Sequence, residues 1–223
     1  MSEIGKLSQS LKSLLMDNIG ELSSVQANLL SASSDKDIKT LFITSCYALE
    51  GKTISAISMA YGLSTNANAK VLLVDGNPYS PKIHELFNVN RSPGLSDMLL
   101  SKAEYNELLI RTEYENLAII PNGTKVSNMI DIFRSETFKD KLNFLKQRVD
   151  YLILDGPSVL SSSDASVISK HFDGVILVVE CEKTRWEVVQ LAKDRIDKIG
   201  GNILGIILNR RKYYIPKALY GKI

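Results

Sequence analysis

The chain has 223 residues, of which 44% are hydrophobic, enough for one α/β domain with a sizeable core and short for two. Its 27 Lys and Arg against 25 Asp and Glu leave a net charge of +2, without the strongly basic footprint of a nucleic-acid-binding protein. No apolar run approaches the roughly 20 residues needed to cross a bilayer, and Met1–Lys6 lacks the basic region and apolar core of a signal peptide.

Residues 1–34 read as an amphipathic helix carrying Ile4, Leu7, Leu11, Leu14, Leu15, Ile19 and Leu22, followed by the serine-rich link Ser31–Ser34. Residues 35–209 form one domain. Short apolar, β-branched runs predict strands at Thr40–Thr44, Val71–Asp75, Leu117–Pro121, Tyr151–Asp155, Val175–Glu180 and Ile203–Asn209. Such runs are apolar on both faces, as buried parallel strands are. Helix-length stretches separate them, and Asn88–Glu115 reads as a helical excursion. The alternation predicts a doubly wound, mostly parallel α/β sheet. Residues 210–223 form a basic, tyrosine-containing tail.

Between the first of these strands and a helix over Ile54–Leu63 stands Ser45-Cys46-Tyr47-Ala48-Leu49-Glu50-Gly51-Lys52-Thr53. A strand, a tight loop and a helix N-terminus form the setting of a phosphate-binding loop. Backbone amides over Leu49–Ile54 would cradle phosphates, Lys52 would reach the β- and γ-phosphates, and the Thr53 hydroxyl would ligate Mg²⁺. The motif's first glycine falls on Cys46, so the tripeptide Gly51-Lys52-Thr53 is a weak signal by itself. Asp75 and Asp155 strengthen it, since each ends an apolar strand at the sheet edge where α/β proteins bind ligands. Carboxylates there serve Mg²⁺, directly or through water. The combination predicts a P-loop nucleotide-binding protein.

The chain resembles the bacterial tyrosine kinases of capsule and exopolysaccharide systems, relatives of the MinD and ParA ATPases. The resemblance rests on Thr44-Ser45, Glu50–Thr53, Val71–Asp75 with Pro81 and His84, Pro93–Asp97, Pro121–Gly123, Asp150–Pro157, Asp164 and Gly205–Asn209. It implies ATP and Mg²⁺ as cofactors. Lys52, Asp75 and the residue at position 77 would be catalytic, with Thr53, Asp75 and Asp155 around the metal, and Asn209 and Arg210 near the base. It implies autophosphorylation on C-terminal tyrosines, here Tyr213, Tyr214 and Tyr220. It further implies activation by the cytoplasmic end of a membrane chain-length regulator. The two cysteines, Cys46 and Cys181, lie far apart in sequence, fit no metal spacing and suit a reducing compartment. A cytoplasmic location is expected, at most peripheral on the inner face of the membrane.

Several positions depart from that pattern. The aspartate taken as the base for the tyrosine hydroxyl is Asn77, whose amide accepts no proton. An arginine pair is replaced by Tyr79-Ser80, and the proline-glycine before the loop by Ala48-Leu49. The charged residues that pair subunits into rings are Ser10, Ser13 and Met16, so a monomer or small oligomer is expected. Tyr47 stands where MinD-like ATPases carry a signature lysine. Three functions therefore compete: a nucleotide-binding member that is non-enzymatic or nearly inactive as a kinase, an active tyrosine autokinase, and a MinD/ParA-like positioning ATPase. His84 and His171 have no catalytic partners in sequence, and Trp186 has the spacing of a helix-packing residue.

Overall fold

The computed structural model describes residues 4–17 and 38–211. Its strands are β1 (Ile4–Gly5), β2 (Thr40–Ser45), β3 (Val71–Asp75), β4 (Ile110–Thr112), β5 (Leu117–Ile120), β6 (Tyr151–Asp155), β7 (Gly174–Glu180) and β8 (Ile203–Asn209). They form one 8-stranded sheet in the order β1-β4-β5-β3-β6-β2-β7-β8. Every pair is parallel except β4 with β5.

Nine helices are described: α1 (Gln9–Asp17), α2 (Lys52–Asn66), α3 (Ile83–Leu86), α4 (Leu95–Leu99), α5 (Tyr105–Leu108), α6 (Met129–Arg134), α7 (Glu136–Lys146), α8 (Asp164–Ser169) and α9 (Trp186–Lys198). Alternate residues of each strand face opposite sides of the sheet, so the core divides into two layers. Leu41, Ile43, Val71, Leu73 and Ile153 pack with α1, α2 and α3. Phe42, Leu72, Val74, Leu152 and Leu154 pack with α4, α6, α7, α8 and α9. This two-sided burial is why the central strands carry no polar alternation.

Two differences from the sequence reading have local causes. Ile4 belongs to a short edge strand rather than to the N-terminal helix, and Lys6 N–H donates to the Phe87 carbonyl (2.8 Å). The excursion over 88–115 is not wholly helical, because Ile110–Thr112 turns back as the antiparallel strand beside β5. Both strands are too short for hydrophobic periodicity to reveal. The expectations for Ile19, Leu22, Ser31–Ser34, Tyr213, Tyr214 and Tyr220 lie outside the described residues.

The N-terminal ends of the central strands show what fixes β2. Asp173 accepts hydrogen bonds from the N–H groups of Lys39 and Thr40, at 3.0 and 2.8 Å, and from the Thr40 hydroxyl. Lys146 Nζ reaches both its carboxylate oxygens at 2.9 Å. This anchor holds the start of β2, and the functional loop leaves from its end.

Candidate functional site: a phosphate loop between two buried carboxylates

The loop from β2 to α2 is held in a shape that only part of its sequence announces. Leu49 (φ 68°) and Gly51 (φ 96°) both adopt left-handed backbone. At Gly51 the left-handed backbone strains any side chain, and a Cβ would stand 1.9 Å from Asn209 Nδ2 and displace that amide. That amide donates to the Glu50 carbonyl (2.9 Å). The buried Glu50 carboxylate accepts from the Tyr47 N–H (2.9 Å) and from the Thr184 hydroxyl. The loop is thus braced from the end of β8 and from the connection between β7 and α9. Gly51 offers no side-chain cap to α2, so the amides of that helix's first turn are available to an anion.

Asp75 and Asp155 end neighbouring strands and face each other in register. Thr53 Oγ1 donates to Asp155 Oδ2 at 2.7 Å. Asp155 Oδ1 is buried with no hydrogen-bond partner. Burial pushes the Asp155 carboxyl up, against the lowering effects of the Thr53 hydroxyl and the Lys52 ammonium. Asp75 is pushed up by burial and then by the charge of Asp155, and three backbone N–H groups only partly offset this. Two adjacent buried carboxylates with one orphaned oxygen form a site short of positive charge.

Mg²⁺ fits that deficit. Thr53 and Asp155 are the residues that would hold it. Among the described residues no three His, Cys, Asp or Glu side chains converge as a metal cage. That suits an ion bound by one or two carboxylates together with substrate phosphates. Asp75 is differently engaged: Oδ1 accepts from the Asn77 N–H (3.2 Å), and Oδ2 from the N–H groups of Lys82 and Ile83 (3.0 Å each). It contributes charge to the site while bracing the loop that leads to α3.

Asn77 is equally engaged. Its Nδ2 donates to the Ser80 carbonyl (3.1 Å) and its Oδ1 accepts from the Tyr79 N–H (3.3 Å). The amide closes a turn that an aspartate could not close in the same way, since a carboxylate has no hydrogen to give Ser80. The next residue but one reaches across the site. Tyr79 donates its hydroxyl to Asp164 Oδ2 at 2.8 Å, and Ser162 Oγ lies 3.3 Å from Tyr79 Oη. The segment after β6 is itself tied to the phosphate loop, with the N–H groups of Val159 and Leu160 donating to the carbonyls of Ser45 and Cys46.

Of the residues anticipated from sequence, Glu50, Gly51, Lys52, Thr53, Asp75, Asp155 and Asn209 converge at this edge. Leu49 is exposed, and Ile54 packs partly against the core. Arg210 forms an ion pair with Glu180 (3.1 Å). Trp186 is exposed at the start of α9, while Val189 is buried, so the tryptophan does not pack as its spacing suggests. His84 and His171 each keep one buried ring nitrogen without a partner, and burial lowers both pKa values. Thr184 and the Tyr79–Asp164 pair were missed as site residues. Their sequence separations of 134 and 85 leave no local signal.

Comparison with known proteins gives the family and the fold. Residues 48–204 match the sequence family described as AAA domain. The chain is 29% identical over 186 residues to a putative tyrosine-protein kinase CapB of Staphylococcus aureus, covering 83% of this chain and 81% of that one. It is 30% identical to a tyrosine-protein kinase CpsD of Streptococcus agalactiae, covering 79% and 76%. The crystal structure of the chimerical protein CapA2B2 superposes with a TM-score of 0.84 at 28% identity, covering 95% of this chain and 96% of that one. At the level of fold alone, the Mg-ADP complex of the septum site-determining protein MinD from Pyrococcus horikoshii gives 0.66 at 24% identity, covering 81% and 74%.

Proposed function

The chain belongs to the AAA domain family and, within it, to the bacterial tyrosine-protein kinases, and from that premise we propose that it binds Mg-ATP at Leu49–Thr53 and acts in capsule or exopolysaccharide biosynthesis. The observation that carries this reading is the Thr53–Asp155 hydrogen bond beside the orphaned Asp155 oxygen. A hydroxyl and a carboxylate already placed together at a helix N-terminus would hold Mg²⁺ together with phosphate oxygens and water. Mg²⁺ supplies charge neutralisation for the phosphates when bound. Lys52 would add a fixed cation, and the first-turn amides of α2 would orient the phosphates.

The reaction class is phosphoryl transfer to a tyrosine hydroxyl. Catalysis of that class is mostly positioning and charge stabilisation. Asn77 does not serve as the proton acceptor, because an amide has no basic lone pair and both its ends close a turn. Asn209 acts by clamping the phosphate loop through the Glu50 carbonyl. The partner would be the cytoplasmic end of a membrane chain-length regulator, and no described helix is long and apolar enough to cross a membrane. A positioning ATPase is the weaker reading, because Tyr47 replaces the signature lysine.

Thermal unfolding with and without Mg-ADP tests the reading. A ligand of the native state at 100 times its Kd stabilises by about 2.7 kcal/mol. The full shift is expected in the unmodified protein and none in Lys52→Ala. Absence of a shift in the unmodified protein overturns nucleotide binding at this loop.

A further inference from the structure

Asn77 leaves the transfer step without a proton acceptor at its expected position, yet a buried carboxylate stands against a tyrosine hydroxyl close by. Asp164 is 2% exposed, whereas the Tyr79 side chain it holds is 66% exposed. Their 2.8 Å hydrogen bond joins the loop after β3 to the first residue of α8. Those two connections follow the strands that end in Asp75 and Asp155. The segment carrying Asp164 is fastened to the phosphate loop through Ser45 and Cys46, and the loop carrying Tyr79 is fastened to Asp75. Both members of the pair are therefore fixed to the walls of the proposed nucleotide site.

A tyrosine bonded to a buried aspartate could be only a strap between loops. Two features argue for more. Tyr79 leaves its ring open to solvent, so it gains little from burial and is held chiefly at its hydroxyl. The acceptor it meets is a carboxylate, the group that position 77 lacks.

We infer that Tyr79 is a phosphoryl acceptor within its own chain and that Asp164 is the base that receives its proton. This rests on the reading of Leu49–Thr53 as an ATP site. In the transfer, Tyr79 Oη forms a bond to the γ-phosphorus while the bond from that phosphorus to the β,γ-bridging oxygen breaks. ADP leaves with the electron pair, and the phenolic proton passes to Asp164 Oδ2. Base assistance of this kind is worth about 10²–10⁴-fold in rate.

The test incubates the full chain with Mg-ATP and locates phosphotyrosine by peptide mass spectrometry. A second protein carries Tyr213→Phe, Tyr214→Phe and Tyr220→Phe together. Phosphate is expected on Tyr79 in both, at a rate per molecule independent of protein concentration. Asp164→Asn keeps an oxygen that can accept the Tyr79 hydrogen bond but loses the base. It is expected to slow Tyr79 phosphorylation about 10²-fold or more while the Mg-ADP melting shift is unchanged. A readout independent of transfer is the ultraviolet titration of Tyr79, taken as the difference from Tyr79→Phe. Burial and Asp164 hold that phenol above the ordinary tyrosine value, with Ser162 opposing them, so Asp164→Asn should lower its titration point. Phosphotyrosine confined to the tail overturns the inference, as does a per-molecule rate that rises with protein concentration. No phosphotyrosine while Mg-ADP still raises the melting temperature also overturns it and leaves nucleotide binding standing. Absence of the Mg-ADP shift overturns the ATP-site reading instead.

Discussion

The loop after β2 and the loop after β3 leave the same sheet edge one strand apart, and they treat their polar atoms in opposite ways. In the first, the bracing comes from outside: Asn209 and Thr184 hold Glu50, while the first-turn amides of α2 and the oxygen of Asp155 stay open. In the second, Asp75, Asn77, Ser80, Lys82 and Ile83 satisfy one another. An unsatisfied buried polar atom is costly, and the one on Asp155, beside a second carboxylate and a helix N-terminus, marks a place for a cationic ligand. A satisfied network is scaffold. The contrast assigns phosphate and metal binding to the first loop and makes the base of the second a support from which Tyr79 reaches Asp164, although motif matching places functional residues in both.

The largest expected effect falls on the open loop. Lys52→Ala should abolish the Mg-ADP melting shift of about 2.7 kcal/mol at 100 times Kd, with little change in the melting temperature of the nucleotide-free protein. A large fall in the nucleotide-free melting temperature would make Lys52 part of the scaffold and collapse the contrast.

The next effect is a pH dependence. Burial and then the charge of Asp155 hold the Asp75 carboxyl well above the ordinary carboxylate range. The native state thus binds more protons than the unfolded chain above that range, and stability falls as pH rises from there. The nucleotide-free protein should melt at a lower temperature at pH 8 than at pH 5. Asp155→Asn removes the like charge, so it should flatten this fall and also erase stabilisation by Mg-ADP. A pH-independent melting temperature between 5 and 8 would show that the two carboxylates do not strain the fold.

Asn77→Asp probes the satisfied loop. The carboxylate would lose the donor to Ser80 and add a third acid beside Asp75 and Asp155, so destabilisation of about 1–3 kcal/mol is expected. No gain in tyrosine phosphorylation should accompany it, because the side chain is committed to the turn. A stable, more active Asn77→Asp protein would mean that the loop tolerates a base and that Asp164 is unnecessary.

The reach of sequence reading follows the same divide. The central strands were legible because burial on both faces makes them uniformly apolar, and all six expected strands have counterparts. Gly51-Lys52-Thr53 was legible because adjacent residues make the helix N-terminus. What escaped depends on contacts distant in the chain. Thr184 bracing Glu50 and Asp164 holding Tyr79 are tertiary facts with no periodicity. Asp164 stood among the residues that carry the family resemblance, but only the fold showed which hydroxyl it faces. Asn77 was read as a lost carboxylate, and the structure adds that its amide has work of its own in the turn.

The smallest expected effect concerns Cys46, which stands where the phosphate-loop motif begins with glycine. Its thiol is buried and pushed up to about 12 by burial and then by Glu50. At pH 8 its thiolate fraction is then on the order of 10⁻⁴, and the thiolate is the reactive form. Cys181, only partly buried, should react first with iodoacetamide. Modification confined to Cys181 should leave the Mg-ADP shift unchanged, because Cys181 meets Asn209 only through backbone atoms, its N–H donating to the Asn209 carbonyl. Rapid alkylation of Cys46 in the nucleotide-free protein would show that the start of the loop opens. The open part of the site would then extend back from Gly51 to the end of β2, and the line between ligand surface and scaffold would move with it.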